Sequence, residues 1–281
     1  MRLVSYSVRG RLAFGALIGG ELIADLSDGR WQSMNELLGD LSTDRLAHAI
    51  AAAPTLPVAS VQITVPNPHA EKIFCAGLNY KSHASEAGVP TPEFPAVFLR
   101  SRNSFVGHQQ DVLKPAASAA FDFEAELAVI IGKRSRRVPI PNAMDSVAGY
   151  TLLADHTARD VVSKHSLIAG KNYFHSGSFG PWIVTQDEIP RVATLELIGR
   201  LNGVEMQRAP LSELIFDVAT LVSYLSGITE LAPGDVIATG TPAGIGAKRN
   251  PPVFMNHGDV FEVEVPGIGV LSNRVVHDPA D

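Results

Sequence analysis

Two glutamates, two positions apart, are the first residues in this chain with the type and spacing to do chemistry. Glu124 and Glu126 open the stretch Phe121-Asp122-Phe123-Glu124-Ala125-Glu126-Leu127-Ala128-Val129-Ile130-Ile131-Gly132, which continues as an apolar, β-branched run. Such a run reads as a buried strand. Residues i and i+2 of a strand share a face, so the two carboxylates project side by side at the mouth of a core strand. Like charges that close repel unless something positive lies between them. The pair are therefore candidate oxygen ligands for a divalent cation. A solvated strand end with two surface glutamates is the competing reading, because charged side chains are usually exposed.

A second apolar segment, Gly149-Tyr150-Thr151-Leu152-Leu153-Ala154, ends in Asp155. An acid at the end of a buried strand sits at the rim of a sheet, where Asp155 would supply a third oxygen ligand. Three carboxylates with open positions suit Mg²⁺ or Mn²⁺ better than zinc. Zinc prefers His and Cys, and the chain has neither a cysteine cluster nor an HExxH motif. Upstream, Lys81-Ser82-His83-Ala84-Ser85-Glu86-Ala87-Gly88 predicts a short helix closed by Gly88. His83 and Glu86 would then share a face. A carboxylate beside an imidazole raises its basicity and fixes its tautomer, as a general base requires. A surface His–Glu contact is the simpler alternative.

Three further features surround these. The proline-rich run after Gly88 makes the segment from about 81 to 95 a candidate lid. Lys171, in Ala169-Gly170-Lys171-Asn172-Tyr173, would stabilise a developing oxyanion if it lies beside a metal, although most lysines are simply exposed. The loop Thr239-Gly240-Thr241-Pro242-Ala243-Gly244-Ile245-Gly246 matches neither GxGxxG nor GxxxxGK[ST]. Its amides and the Thr241 hydroxyl either grip a small anion or form a plain turn. His165 and His175 receive no role.

The elements that must position these groups read as follows. Residues 1–66 predict a small β-rich unit of short strands with two short helices, around 34–38 and 46–53, closed by a proline-marked linker. A catalytic region covers 67–281. Asn142 is expected to cap a short helix through Val147. Asn202-Gly203 between two apolar runs predicts a hairpin. Leu211, Leu214, Ile215, Val218, Leu221, Val222 and Leu225 form one apolar stripe, the clearest helix, with Ser212 as its expected cap and Gly227 as its stop. Residues 236–238, 259–265 and 269–276 read as strands.

Composition narrows the class. With 281 residues, 46% hydrophobic and 19% charged, the chain can bury a substantial core. A net charge of −6 argues against a nucleic-acid partner. The lone cysteine, Cys75, lies in a strand-like run and reads as a structural thiol. The N-terminus lacks the apolar core of a signal peptide, and no run approaches the ~20 apolar residues of a membrane span. The expectation is a soluble cytoplasmic protein without a membrane partner.

Taken together, these segments resemble the fumarylacetoacetate hydrolase family over about residues 70 to 276. The resemblance rests on Gly77-Leu78-Asn79-Tyr80 with His83 and Glu86, Phe123-Glu124-Ala125-Glu126-Leu127, and Gly149-Tyr150-Thr151 with Asp155 and Ala158-Arg159-Asp160. It continues through Gly170-Lys171, Phe179-Gly180-Pro181-Trp182, Leu201-Asn202-Gly203, and Pro233-Gly234-Asp235 leading into Thr239-Gly240-Thr241-Pro242-Ala243-Gly244. It implies an α+β, mostly β fold with a mixed β-sandwich or β-roll, and a homodimer. It also implies a divalent metal (Mg²⁺, Mn²⁺ or Ca²⁺) on Glu124, Glu126 and Asp155, and a catalytic pair in His83 and Glu86. Lys171 corresponds to a lysine that supports the metal or the oxyanion, and Arg159 and Thr241 to positions that contact substrate or order its surroundings.

The sequence departs from the family pattern at Val162 (often Gln), Leu167-Ile168 (often Trp nearby), Lys171-Asn172-Tyr173-Phe174 (often Lys-Ser-Phe-Asp) and Phe98-Leu99-Arg100-Ser101 (often Phe-Leu-Lys-Pro). The metal and base positions are intact, whereas the substrate is left open. The expected activity is metal-dependent hydrolysis of a C–C bond in a β-diketo acid of acylpyruvate type, fumarylpyruvate or a diketo sugar acid among them. Decarboxylation or isomerisation of a related keto acid is the alternative chemistry. A non-catalytic binding protein would be favoured by loss of the carboxylates or His83, all of which are present.

Overall fold

The strand Ala125–Ile131 is buried along its whole length. Its side chains alternate between two cores. Leu127, Val129 and Ile131 enter one, while Ala128 and Ile130 enter the other. A strand covered on both faces must be apolar at successive positions, which accounts for the unbroken run in the sequence. The computed structural model describes residues 1–279.

This strand lies inside a twelve-stranded mixed sheet. Val147–Ala154 and Val236–Ala238 flank it, both antiparallel. Past Val236–Ala238 come Ile73–Gly77 and the edge strand Ala96–Arg100. On the other side, Gly177–Thr185 is followed by Arg2–Val8, Arg11–Ile18, Leu22–Asp25 and Thr55–Pro57. The N-terminal residues therefore continue the central sheet through Arg2–Val8. Trp31, Met34, Leu37 and Leu38 cover one of its faces, against Ala128, Ile130, Leu153 and Ile183. A five-stranded sheet that includes Glu196–Leu201, Val260–Val265 and Gly269–His277 joins the helix Val218–Ile228 in covering the other. The class is α+β and mostly β, as expected, and Cys75 is a buried core thiol whose pKa burial pushes up.

Two expected helices differ. The apolar stripe from Leu211 to Leu225 is buried as predicted, but its backbone is not one helix. A 3-10 turn spans Leu211–Glu213, and the α-helix begins only at Val218. Asn79 causes the interruption. Its carbonyl accepts from Ile215 N–H at 2.7 Å and its Oδ1 from Phe216 N–H at 2.8 Å, while its Nδ2 donates to Phe216 O and Thr239 O. Those tertiary bonds take the backbone groups that a helix would need. Asp217, not Ser212, caps the helix, accepting from Thr220 N–H at 2.8 Å, and Gly227 lies inside it. Residues Ile140–Ser146 form a 3-10 helix headed by Pro139 rather than a helix capped by Asn142.

A cap substitution separates the two assignments. Asp217→Ala should lower stability by about 1 kcal/mol, and Ser212→Ala should leave it nearly unchanged. Urea unfolding of both variants checks this.

Candidate active site

Strand register assembles three acids. Ala125 pairs with Ala154 and Glu126 with Leu153. One step further, Asp155 N–H donates to Glu124 O at 2.9 Å. Opposed residues in an antiparallel ladder share a face, and so do i and i+2. Glu124, Glu126 and Asp155 therefore emerge together, where the face that carries Ala128, Ile130 and Leu153 runs out of apolar side chains. One carboxylate oxygen from each lies within 4.8 Å of the others. They are 6%, 1% and 1% exposed, so they are not a solvated strand end.

Two buried cations, Lys171 and Arg100, and a half-buried one, Arg159, hold these acids. Lys171 Nζ donates to Glu124 Oε2 at 2.7 Å, Asp155 Oδ2 at 2.6 Å and Asp155 O at 2.8 Å. An ammonium has three donors, and all three are engaged. In this geometry Lys171 organises the carboxylates. Its helix, Leu167–Lys171, is capped by Ser166 and packs closely on Arg159–Lys164. Gly170 permits that approach, because a Cβ there would lie 2.3 Å from Val162 Cγ2 and 2.8 Å from Ala158 O. Arg159 Nε donates to Asp122 Oδ2 at 2.8 Å, and its Nη2 to Glu124 Oε1. Arg100, fully buried, donates to Asp155 Oδ1 at 2.7 Å and stacks over Phe105.

The glycine loop does grip anions, but they are the site's own carboxylates. Gly240 N–H donates to Glu126 Oε2 at 2.9 Å, Gly244 N–H to Glu86 Oε1 at 2.9 Å and Gly246 N–H to Asp122 Oδ1 at 2.7 Å. The Thr241 hydroxyl donates to Ala125 O at 2.9 Å and accepts from Gln207 Nε2 at 2.8 Å. The helix Lys81–Ala87 ends at Gly88 in the left-handed region, as predicted. On it, His83 Nδ1 meets Glu86 Oε2 at 3.1 Å. With the Nδ1 proton directed to Glu86, Nε2 is left as the basic nitrogen.

Glu124, Glu126, Asp155, Lys171, Arg159, Thr241 and His83 all line one cavity of about 360 Å³, with Glu86 bound behind His83. A cavity of similar size beside Trp31 and Ala49 contains none of them. The family model described as Fumarylacetoacetate (FAA) hydrolase C-terminal matches residues 72–276. The chain belongs to the fumarylacetoacetate hydrolase family. It is 36% identical over 239 residues to the human protein named oxaloacetate tautomerase FAHD2B, mitochondrial, a match covering 84% of this chain and 76% of that one. Among solved structures, the fumarylacetoacetate hydrolase of psychrophilic Exiguobacterium antarcticum superposes with a TM-score of 0.86 at 32% identity, covering 99% of this chain and 100% of that one. The maleylpyruvate hydrolase of Sphingobium sp. SYK-6, in complex with manganese(II) and pyruvate, does so with 0.82 at 29% identity and 99% coverage of each chain.

The electrostatics of this family member favour a cation. Burial pushes Glu126 well up, and the nearby Asp155 and Glu124 push it further. Burial also acts to raise Glu124, but Lys171 and Arg159 outweigh it and bring it down to about 2. Burial alone would lower Lys171, whereas Asp155 and Glu124 more than offset that and keep it charged. Four buried acids (Asp122, Glu124, Glu126, Asp155) thus face three cations (Arg100, Arg159, Lys171). Three hard carboxylate donors, one of them without a cationic partner when ionised, fit a divalent cation such as Mg²⁺, Mn²⁺ or Ca²⁺.

Sequence reasoning assigned no role to Arg100, Asp122, Gln207 or Asn79. Asp122 carried a readable signal, since Asp122, Glu124 and Glu126 continue one i, i+2, i+4 series. Gln207 carried none, because its contacts to Ala125 N–H, Thr241 and Pro242 O come from a distant hairpin strand.

The raised Glu126 fixes a pH dependence. A carboxyl whose pKa is higher folded than unfolded favours the folded state at low pH, and that contribution is lost as pH rises through the folded pKa. A cation must displace the same proton, so its affinity should increase with pH across that window. Glu126→Gln should leave the metal-free protein at least as stable as the parent at pH 8. It should also abolish stabilisation by Mn²⁺, which for the parent is about 2.7 kcal/mol at a hundredfold excess over Kd. Calorimetry with and without Mn²⁺ at pH 5.5 and 8 reads both effects.

Proposed function

We propose that the protein is a metal-dependent hydrolase that cleaves the C–C bond of a β-diketo acid of acylpyruvate type. The observation that carries this is the His83–Glu86 pair, fastened by Gly244 N–H on the wall of a cavity that also presents Glu124, Glu126 and Asp155. The related hydrolase that holds manganese and pyruvate supports the same substrate end. A divalent cation on the triad would polarise the 2-oxo carbonyl and offset charge that develops on its oxygen.

The chain's own groups supply the remainder. Glu86 holds the His83 proton on Nδ1, so Nε2 takes a proton from water. The water oxygen adds to the distal carbonyl carbon. The C–C bond then breaks, its electron pair passing to the pyruvyl fragment, which takes a proton at carbon from His83. One acylpyruvate and one water give one carboxylic acid and one pyruvate. Lys171, Arg159 and Arg100 keep the carboxylates in place throughout.

A second reading is keto–enol tautomerisation of an oxaloacetate-type acid. It is favoured by the 36% identity to relatives named oxaloacetate tautomerases. It needs the same cation and base but no attacking water.

Turnover in H₂¹⁸O distinguishes the two. Hydrolysis places one ¹⁸O in the acid released from the acyl group. His83→Ala should lower kcat by about 10²- to 10⁴-fold with the fold intact. Glu86→Gln should also slow turnover, by misorienting the ring. Retention of full activity by His83→Ala, or oxaloacetate tautomerisation without acylpyruvate cleavage, overturns the hydrolase reading.

A further inference from the structure

The lining of the cavity is of two chemical kinds. Glu124, Glu126, Asp155, Lys171 and Arg159 form a charged group. Leu78, Ala96, Val97, Phe98 and Leu167, with Gly77, form an apolar one. Register explains the wall. Gly77 pairs with Ala96 and Cys75 with Phe98, so Phe98 lies on the face that carries Cys75 and the second core, and Ala96 follows it at i+2. Phe98 joins the two groups, its ring centroid 5.6 Å from Lys171 Nζ.

The cations that line this cavity, among the described residues, are Lys171 and Arg159. Lys171 is held by Glu124 and Asp155, and Arg159 directs its Nε to Asp122 and its Nη2 to Glu124, both toward the acids. The Thr241 hydrogen is directed to Ala125 O. A carboxylate pushed against the apolar wall would lose its water without gaining an ion pair or a strong donor. An alkyl or aryl group there would instead bury apolar surface.

We propose that the end of the substrate remote from the 2-oxo acid is uncharged, as in an alkyl or aryl acylpyruvate, rather than carboxylated as in fumarylpyruvate or oxaloacetate. This rests on the preceding reading that the charged group takes a 2-oxo acid. Specificity is set by the wall formed by Ile73–Gly77, the edge strand Ala96–Arg100 and Leu167.

The test compares an n-alkanoylpyruvate with succinylpyruvate of matched length on the Mn²⁺-loaded protein. The neutral substrate should have the higher kcat/KM, by at least about tenfold. Leu167 is 40% exposed and accepts a longer polar side chain without crowding the core. Leu167→Lys should move the ratio toward succinylpyruvate by about tenfold, with melting temperature confirming the fold. Equal or faster turnover of succinylpyruvate by the parent, or an unchanged ratio in Leu167→Lys, overturns the proposal. If neither compound is cleaved, the hydrolase reading fails by itself. The wall is then judged by the thermal shift that each compound gives the Mn²⁺-loaded protein. A larger shift with the alkanoyl compound upholds the uncharged end, and a larger or equal shift with succinylpyruvate overturns it.

Discussion

The site depends on one ammonium group. Lys171 lies between Glu124 and Asp155 with every donor engaged. Without it two buried carboxylates would face each other, an arrangement that costs several kcal/mol when one partner of a buried ion pair is lost. The second oxygen of each acid is held by a guanidinium, Arg159 on Glu124 and Arg100 on Asp155. Among the described residues, Glu126 receives only the Gly240 N–H as a hydrogen bond. It is the acid whose charge is least compensated, and the one for which an added divalent cation brings the largest gain.

The same economy governs the glycine loop. A loop rich in glycine leaves its N–H groups unshielded, and three of them bind Glu126, Glu86 and Asp122. One segment therefore sets the position of a triad acid, of the carboxylate that orients the candidate base, and of the acid that holds Arg159. Asn79 ties this loop to the start of the His83 helix through Thr239 O and Phe216. The candidate base and the acids are thus positioned by one connected frame instead of by independent loops.

Much of this was legible in the sequence because it follows from periodicity. Period two predicts that Glu124 and Glu126 share a face, and an apolar run ending in Asp155 predicts an acid at a sheet rim. Spacing of three brings His83 to Glu86, and Gly88 ends their helix. What was not legible depends on partners far apart in the chain. Arg100 appears only as a departure from the family pattern until the fold brings it to Asp155, 55 residues away. The late start of the Val218–Ile228 helix follows from Asn79, which lies 137 residues from Phe216 and has no local signature. Lys171 stood out as a cation in the sequence, but a sequence does not show how many acids claim it, and here two do.

If the three acids form one cation site, anomalous diffraction from a crystal soaked in Mn²⁺ shows it most directly. The expected result is an anomalous peak bonded to one oxygen each of Glu124, Glu126 and Asp155, at about 2.1–2.4 Å. In that structure Lys171 would remain bound to Asp155. A peak at another site, or none between these acids at saturating Mn²⁺, would contradict it.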